Sequence, residues 1–356
     1  SSWRFTNLQP IRSGATSSAG RAKKAWGSAG GFWEVWVAMG VALISPNSSP
    51  FNLGINHAIK TMIAEEMTTE AVNSLTKALF RSLRQNRNTS ASQTQRLLSL
   101  IPNGLTLLDI GAAGGIEPRW EKVCETLSYI GIEPDERSSK ELNQLSRSRQ
   151  THILNSFAWS EEAEIEFNLC RKPKVSSAYI PNRKLLDRYP NPARFDIIKK
   201  ETLKAEPLLK KLSPHKIDFI KLDIQGGELN ALKGLGDKLK DCLGLEIEIE
   251  FSALYESQPL FSEVNNFLLA EGFYFSDFTN ICRWERDSHD GYGRCVFGDG
   301  LWMRELDDLP LKTDEEYLKY AAICSLYGKL DEAIASLLSV KGENKDWKEF
   351  KSILIE

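Results

Sequence analysis

Short apolar runs separated by polar segments fill the middle of the chain, a pattern typical of buried strands that alternate with helices. The runs predict strands over residues 105–110, 127–132, 151–157, 165–169, 216–223, 243–251, 273–278 and 295–303. Strands that alternate with helices form a parallel sheet covered on both faces. The sequence therefore predicts an α/β doubly wound sheet, mostly parallel, whose last strand runs back in the antiparallel direction.

The segments on either side of this region follow a helical period. Between residues 55 and 83 apolar side chains recur at steps of mostly three and four, which predicts an N-terminal helical segment over 51–100. Beyond Pro310, two runs broken at Gly328 predict a helical hairpin over 305–356 that caps the main domain of 101–304. Residues 1–50 follow no such period, and we assign them as a poorly ordered extension without a function.

Composition and charge narrow the class of protein. The 356 residues are 42% hydrophobic and 26% charged, which is enough to bury one large core with appendages. A net charge of −3 provides no general attraction to nucleic acid or anionic lipid, so no nucleic-acid partner is expected. An apolar run over residues 32–46 is too short to span a bilayer, so no firm membrane association is expected.

Cysteine usage points to a reducing compartment. Six cysteines are widely spread, without a C-x-x-C motif or histidines at ligand spacing: Cys124, Cys170, Cys242, Cys282, Cys295 and Cys324. Reduced thiols are the default for such a pattern. The sequence therefore predicts a cytoplasmic protein without a metal site.

The turn after the first predicted strand is the strongest functional signal. Asp109 is followed by Gly111, Gly114 and Gly115, which allow a sharp turn and leave N–H groups of the next helix start facing a ligand. A dinucleotide fingerprint needs a glycine where Ala113 stands, and Asp109 would repel a pyrophosphate. The turn therefore favours a cationic or zwitterionic nucleoside such as a methionine-derived sulfonium cofactor; a tight turn without a ligand is the alternative.

Glu133 supports the nucleoside interpretation. It ends the second predicted strand, about 20 residues beyond the glycines, where a carboxylate can accept hydrogen bonds from both hydroxyls of a ribose. A solvated loop acid is the alternative. Together with the glycine turn, Glu133 favours a ribose site.

Charged residues also enter the predicted core. Lys221 and Asp223 are two apart on a strand, so they share a face and are expected to pair, because a buried lysine needs a carboxylate. Glu228 falls in the first turn of the following helix, where its charge suits the helix dipole. A structural salt bridge with a capping glutamate is the alternative interpretation.

The next strand places Glu246, Glu248 and Glu250 on one face. A central strand carries three carboxylates on a face only where that face meets cations or opens into a cleft. Glu248 and Glu250, nearest the carboxyl end, are expected to reach such a cleft. Glu246 is expected to be partly exposed or paired with a lysine.

Four blocks in this order give the chain a specific resemblance: LLDIGAAGG, GIEPD, IDFIKLDIQGGELNALKG and IEIEFSALYESQPLF. Together they resemble the FkbM family of S-adenosylmethionine-dependent methyltransferases over residues 105–304. The resemblance implies a Rossmann-like class I methyltransferase fold and S-adenosylmethionine as the cofactor.

The resemblance also implies roles for single residues. Asp109, Gly111, Ala112 and Gly114 would line the methionine end of the cofactor. Glu133 would bind the ribose, and Phe157 and Ala158 would contact the adenine. Asp223 would lie beside the transferred methyl group, with Lys221, Glu248 and Tyr255 close to the acceptor.

The implied activity is O-methylation of a hydroxyl on a sugar, glycan or small metabolite. A hydroxyl acceptor needs a base, for which Asp223 or Glu248 is the candidate, with Lys221 holding the carboxylate and His289 as a weaker choice. A basic stretch over 171–188 would suit a phosphorylated or nucleotide-linked sugar, or is solvated surface. A nicotinamide-dependent sugar oxidoreductase and a non-catalytic scaffold that retains the fold are the alternatives.

Overall fold

The computed structural model describes Leu98, Ile101 and residues 103–134, 148–286 and 293–341. The predicted extension over 1–50 and His289 lie outside the described residues, as does all of the predicted segment 51–100 except Leu98.

The described residues form ten strands, and the predicted positions of most are confirmed. The strands are β1 (Leu105–Ile110), β2 (Leu127–Ile132), β3 (Gln150–Leu154), β4 (Phe157–Ala158), β5 (Ala163–Cys170), β6 (Ile197–Glu206), β7 (Phe219–Leu222), β8 (Gly244–Glu250), β9 (Phe273–Trp284) and β10 (Arg294–Arg304). Seven of them form the main sheet in the order β3-β2-β1-β7-β8-β10-β9.

The main sheet is parallel from β3 to β8, and β10 runs antiparallel to both of its neighbours, as predicted. The chain leaves β1 toward β2 and β3, and later returns to β7 on the other side of β1. The strand order therefore reverses between β1 and β7. In sheets of this kind, ligands bind beyond the carboxyl ends of the strands at such a switch point.

A smaller sheet, in the order β4-β6-β5, corrects two of the predictions. The third strand was predicted over 151–157, but it ends at Leu154, and Phe157 belongs to the smaller sheet. The chain turns there because the Asn155 side chain donates to the carbonyls of Glu133 and Pro134. The segment 165–169 also lies in this sheet rather than in the main one.

Strand β6 was not predicted from the sequence. Its residues alternate between exposed and half-buried positions, and lysines and glutamates occupy much of it. A strand with one face in solvent has no continuous apolar run, so the signal used for the main sheet does not detect it.

Six helices occur among the described residues: α1 (Pro118–Glu121), α2 (Arg183–Leu186), α3 (Glu228–Leu235), α4 (Phe261–Ala270), α5 (Asp314–Leu326) and α6 (Leu330–Ser339). Helices α3 and α4 pack on one face of the main sheet, against side chains such as Leu108, Ile220 and Ile247. The hairpin of α5 and α6 packs with α1 on the other face, against Leu107, Tyr129 and Phe219. None of these helices is long and apolar enough to cross a membrane.

A buried ion pair fixes the hairpin to the amino edge of the sheet. The Lys319 ammonium on α5 lies 3.1 Å from the Asp218 carboxylate, which also accepts the Thr106 N–H at 2.8 Å. The Tyr320 hydroxyl donates to the Arg304 carbonyl at 2.7 Å. The hairpin thus packs in the same hydrophobic core as the sheet and is bonded to it by polar side chains.

Candidate functional site

The glycine turn after β1 combines a tight contact with an open space. Gly111 has a φ of +90°, and a Cβ there would lie 2.0 Å from the Asp223 carbonyl oxygen. Gly114 has a φ of +109°, and a Cβ there would meet no atom within 4 Å. Gly111 is therefore required by the junction of β1 with β7, whereas Gly114 leaves room in front of the turn.

The backbone N–H groups at the start of the turn point to β2 rather than to a ligand. The N–H groups of Gly111 and Ala112 donate to the Ile132 carbonyl at 3.0 and 3.2 Å. Helix α1 begins only at Pro118 and has four residues. Because the helix is this short and begins three residues after Gly115, side chains have a large share in shaping this site.

A row of charged side chains crosses the hairpin face of the sheet. Strand register places Asp109 beside Lys221 and Lys221 beside Glu246. The Lys221 ammonium lies 3.8 Å from Asp109 and 3.4 Å from Glu117. The predicted pairing of Lys221 with Asp223 is wrong, because neighbours across a sheet are closer than residues two apart along one strand.

The charges of this row are strongly coupled. Burial alone would lower the pKa of Lys221, but Asp109, Asp223, Glu117 and Glu246 together raise it. Lys221 therefore stays protonated and serves as the cation on which several carboxylates depend.

Asp109 is buried and incompletely bonded. The Tyr129 hydroxyl donates to its Oδ2 at 2.7 Å, while its Oδ1 has no hydrogen-bond partner among the described residues. Burial raises the pKa of Asp109, against the lowering effects of Lys221 and Tyr129. A buried carboxylate oxygen without a donor is costly, so this position favours a ligand that brings a donor or a positive charge.

Glu246 is held by an arginine instead of the expected lysine. Its carboxylate accepts two bonds from the Arg119 guanidinium, at 3.0 and 3.1 Å, and one from the Tyr327 hydroxyl at 2.7 Å. Thr279 also donates to it, and only 5% of Glu246 is exposed. Its partners come from α1 and the hairpin, so Glu246 joins the region after the glycine turn to the C-terminal part of the chain.

Gln225 connects the predicted catalytic carboxylates. Its side-chain amide donates to Asp223 at 3.1 Å and to Glu248 at 2.6 Å, and its carbonyl oxygen accepts from Tyr255 at 3.1 Å. Its backbone carbonyl accepts from the Ser177 hydroxyl at 2.6 Å. Gln225 has a φ of +60°, a left-handed conformation that non-glycine residues rarely adopt and that clusters at functional sites.

Within the described part of the chain, no lysine or arginine forms an ion pair with the carboxylates around Gln225, and these carboxylates raise one another's pKa. Burial first, followed by Asp223 and three other acidic residues, raises the pKa of Glu248 to about 10. Burial also raises the pKa of Glu228 to about 7, although backbone N–H groups, including that of Ile224 at 2.8 Å, stabilise its charged form. Glu250 is buried and its pKa is raised well above the ordinary value. The carboxyl edge of β7 and β8 is therefore short of positive charge.

The remaining predicted residues lie around this edge. Glu133 follows β2 directly, next to the Ile132 carbonyl that the glycine turn binds, and it is 6% exposed. Phe157 and Ala158 open the smaller sheet, where β4 packs against α3. Tyr255 is fully buried, and its single hydroxyl proton lies between two acceptors, the Gln225 side-chain oxygen at 3.1 Å and the Val175 carbonyl at 3.0 Å.

Sequence reasoning missed several residues of the site. Gln225 stands directly before two glycines in the QGG block, and Glu117 and Arg119 stand in the GIEPRW block. Their position inside distinctive motifs is a signal that could have singled them out. Tyr327 lies about 200 residues farther along the chain in a helical pattern, and no local signal connects it to the turn.

Two of the six cations in the basic stretch over 171–188 form ion pairs with aspartates. Arg183 pairs with Asp187 at 2.6 Å and with Asp196 at 3.2 Å. Arg171 pairs with Asp196 at 3.3 Å. These cations are already bound within the chain and are partly exposed.

Comparison with known families identifies the region that carries this site. Residues 109–275 match the family model described as the methyltransferase FkbM domain. This match agrees with the resemblance that the motifs show and supports S-adenosylmethionine as the cofactor. The main sheet is the Rossmann-like class I methyltransferase sheet that the motifs implied.

Solved structures give distant likenesses. Methyltransferase FkbM from Methylobacillus flagellatus is 14% identical over 59% of this chain and 47% of its own, with a TM-score of 0.33, so this chain spans about half of it. Magnesium protoporphyrin IX methyltransferase from Synechocystis, with bound SAM, is 10% identical over 75% of this chain and 97% of its own, with a TM-score of 0.31. Precorrin-6y C5,15-methyltransferase from Geobacter metallireducens is 11% identical over 60% of this chain and 87% of its own, with a TM-score of 0.31. Comparison with curated proteins finds no match.

The residues present fit a cationic cofactor. S-adenosylmethionine carries a positive sulfur and an amine, and it has no phosphate. The turn offers an open space at Gly114 and a buried Asp109 oxygen without a donor, and the adjoining edge has an excess of carboxylates. A ligand with positive charge and N–H donors supplies what this edge lacks.

The two turn glycines should respond differently to substitution. Gly111→Ala is expected to lower the free energy of unfolding by about 3 kcal/mol, because its Cβ meets the Asp223 carbonyl and its φ is positive. Gly114→Ala is expected to cost only about 1 kcal/mol from its positive φ, yet to weaken S-adenosylhomocysteine binding about tenfold by filling the open space. Urea unfolding and calorimetry measure the two effects, and wild-type affinity in Gly114→Ala would place the cofactor elsewhere.

Proposed function

We propose that this protein transfers a methyl group from S-adenosylmethionine to a hydroxyl of a sugar, a glycan or a small metabolite. The observation that carries the proposal is the pair of carboxylates, Asp223 and Glu248, that Gln225 joins at the carboxyl edge beside the glycine turn. The turn offers a place for the donor, and the pair offers a place to receive the proton of an acceptor.

The proposed cofactor contacts follow the resemblance of the motifs. Asp109, Gly111, Ala112 and Gly114 line the methionine end. Asp109 Oδ1 has no hydrogen-bond donor among the described residues and lies 3.8 Å from the Lys221 ammonium, so it can accept from the amine. Glu133 binds the ribose hydroxyls, supported by its position just after β2. Asp223 lies beside the methyl group, supported by its contact with Gly111. Phe157 and Ala158 contact the adenine.

Methyl transfer to oxygen is an in-line displacement, so alignment and removal of one proton are the main tasks of the protein. When bound, S-adenosylmethionine supplies a methyl group on a cationic sulfur. The acceptor oxygen forms a bond to the methyl carbon as the bond from that carbon to sulfur breaks. The hydroxyl proton passes to Glu248 or Asp223, and Gln225 keeps these two carboxylates in place.

The charge state of Glu248 links cofactor binding to catalysis. With a pKa of about 10, Glu248 holds its own proton at neutral pH and cannot act as a base. A positive charge placed at the same edge favours the ionised form of nearby carboxylates and lowers their pKa. Glu248 therefore becomes a competent base only when the edge also holds a cation. Lys221 contributes from a distance, by neutralising Asp109 and Glu117.

The proposal extends to a reducing compartment and to an uncharged acceptor. All six cysteines are free thiols, which supports a reducing compartment such as the cytoplasm. No lysine or arginine among the described residues pairs with the acidic side chains around Gln225, so this edge offers no cation for the phosphates of a nucleic acid. An uncharged hydroxyl compound fits this edge better.

Comparing the metabolites and glycans of cells with and without the gene tests the acceptor. Mass spectrometry is expected to find at least one hydroxyl compound that loses about 14 daltons when the gene is deleted, because a methyl group replaces one hydrogen. The purified protein with S-adenosylmethionine should restore the lost mass in an extract of the deletion strain. An extract that takes up the methyl group on nitrogen or carbon would contradict O-methylation.

The ribose role of Glu133 can be measured without an acceptor. Glu133→Ala is expected to weaken S-adenosylhomocysteine binding by about 2 kcal/mol, because two charge-assisted hydrogen bonds are lost. Calorimetry with Glu125→Ala, which removes an exposed carboxylate, is the matched control. Equal affinities of the two variants would mean that the ribose site is misplaced.

The raised pKa of Glu248 predicts how stability changes with pH. In the unfolded chain Glu248 ionises above its ordinary pKa of 4.5, whereas the folded, cofactor-free protein keeps it protonated up to about pH 10. Its contribution to stability is therefore complete below pH 4.5 and is lost progressively as the pH rises toward 10.

The side chain in Glu248→Gln cannot ionise, so this variant does not lose stability in this way as the pH rises. The melting temperature of the variant, relative to that of the wild type, is expected to rise by about 8 °C between pH 5 and pH 8. Glu256→Gln, at an exposed position, should show no such trend. Parallel melting curves for Glu248→Gln and the wild type across this range would rule out a protonated Glu248.

A further inference from the structure

Helix α1, which follows the glycine turn, is too short to hold its own position. It contains four residues, while isolated helices need about 12–15 residues to be even marginally stable in water. Side chains from the sheet hold it instead: Lys221 pairs with Glu117, Glu246 binds Arg119, and Phe219 packs on Trp120 at a ring distance of 5.2 Å. The position of the turn therefore depends on contacts from outside the helix.

One residue of the C-terminal hairpin contacts most of this support. The Tyr327 hydroxyl accepts from the Trp120 indole at 3.3 Å and donates to Glu246 at 2.7 Å. The Arg119 guanidinium lies 4.1 Å from the centre of the Tyr327 ring, and the Phe219 ring lies 5.1 Å from it. Tyr327 thus binds two of the four residues of α1 and both of the sheet residues that hold them.

The hairpin can act as a fixed support because its own anchors lie elsewhere. Lys319 is tied to Asp218 at the amino edge of the sheet, and Tyr320 is bonded to the Arg304 carbonyl. Tyr327 ends α5, where its N–H donates to the Ile323 carbonyl at 3.1 Å. Its backbone is therefore positioned by contacts that do not involve the turn.

We propose that Tyr327 is a positioning residue for the cofactor turn, so that the C-terminal hairpin completes a site that lies inside residues 109–275. Without the Tyr327 side chain, the buried Glu246 loses a donor and Arg119 loses the ring that fixes its guanidinium. Helix α1 then moves more freely, and Glu117 leaves Lys221. This inference rests on the proposed cofactor contacts, because it acts through the turn.

Two substitutions at Tyr327 test the proposal by calorimetry with S-adenosylhomocysteine. Tyr327→Phe keeps the ring and removes the hydroxyl, and is expected to weaken binding about fivefold. Tyr327→Leu also removes the ring under Arg119, and is expected to weaken binding about thirtyfold. Amide hydrogen exchange over residues 111–121 should speed up in both variants, because this segment loses its support.

Ser336→Ala is the matched control. The Ser336 hydroxyl donates to the Tyr317 carbonyl at 2.5 Å within the hairpin and does not touch α1. This variant should lower the melting temperature and leave both the affinity and the exchange over 111–121 unchanged. If Tyr327→Phe behaves like Ser336→Ala, Tyr327 is merely structural and the proposal fails.

The outcome also separates this inference from the proposed function. A wild-type protein that binds S-adenosylhomocysteine, with both Tyr327 variants unaffected, would overturn only the role of Tyr327. A wild-type protein that does not bind it would overturn the cofactor contacts, and the role of Tyr327 with them. Weakened binding in the variants supports the positioning role of Tyr327 even if the methyl group goes to an acceptor other than a hydroxyl compound.

Discussion

The buried ammonium of Lys221 is the interaction on which the rest of the site depends. It lies between two parallel strands and faces Asp109 on one side and Glu117 on the other, at 3.8 and 3.4 Å. Without it, the junction of β1 and β7 would hold buried carboxylates with no nearby cation, and a buried charge of that kind is strongly destabilising. Lys221 lies beside Asp109 in the strand register, just before the glycine turn, and it pairs with Glu117 at the start of helix α1. The sheet order, the site and the hairpin contacts are therefore parts of one electrostatic arrangement.

Two kinds of carboxylate environment divide the site. On the side of Asp109 and Glu246, lysine and arginine provide charge, and the carboxylates are structural as well as functional. On the side of Asp223 and Glu248, a neutral amide provides the hydrogen bonds, so no fixed positive charge cancels the charge that these groups carry when they ionise. Gln225 can hold these groups together without cancelling their charge, which is the condition for an edge that receives a cation.

The main sheet could be predicted from the sequence because its strands are buried on both faces and form apolar runs, as β1 and β2 show. Strand β6 could not, because one of its faces is in solvent. The carboxylates of the site could be located by motif, but their partners could not. Lys221 pairs with Asp109 across the sheet rather than with Asp223 along the strand. This pairing depends on the strand register, which a sequence pattern does not give. Tyr327 reaches the site from a distant helix, where only tertiary packing reveals its contact with Arg119.

The neutral bridge made by Gln225 has a consequence for turnover. Methyl transfer removes the positive charge from the cofactor sulfur and returns a proton to the carboxylates of this edge, so the edge attracts the spent cofactor less than the fresh one. An arginine or lysine at this position would have balanced the carboxylates permanently and removed that difference. By using a carboxamide, the chain keeps an electrostatic preference for the reactant over the product, which favours exchange of the two after each cycle.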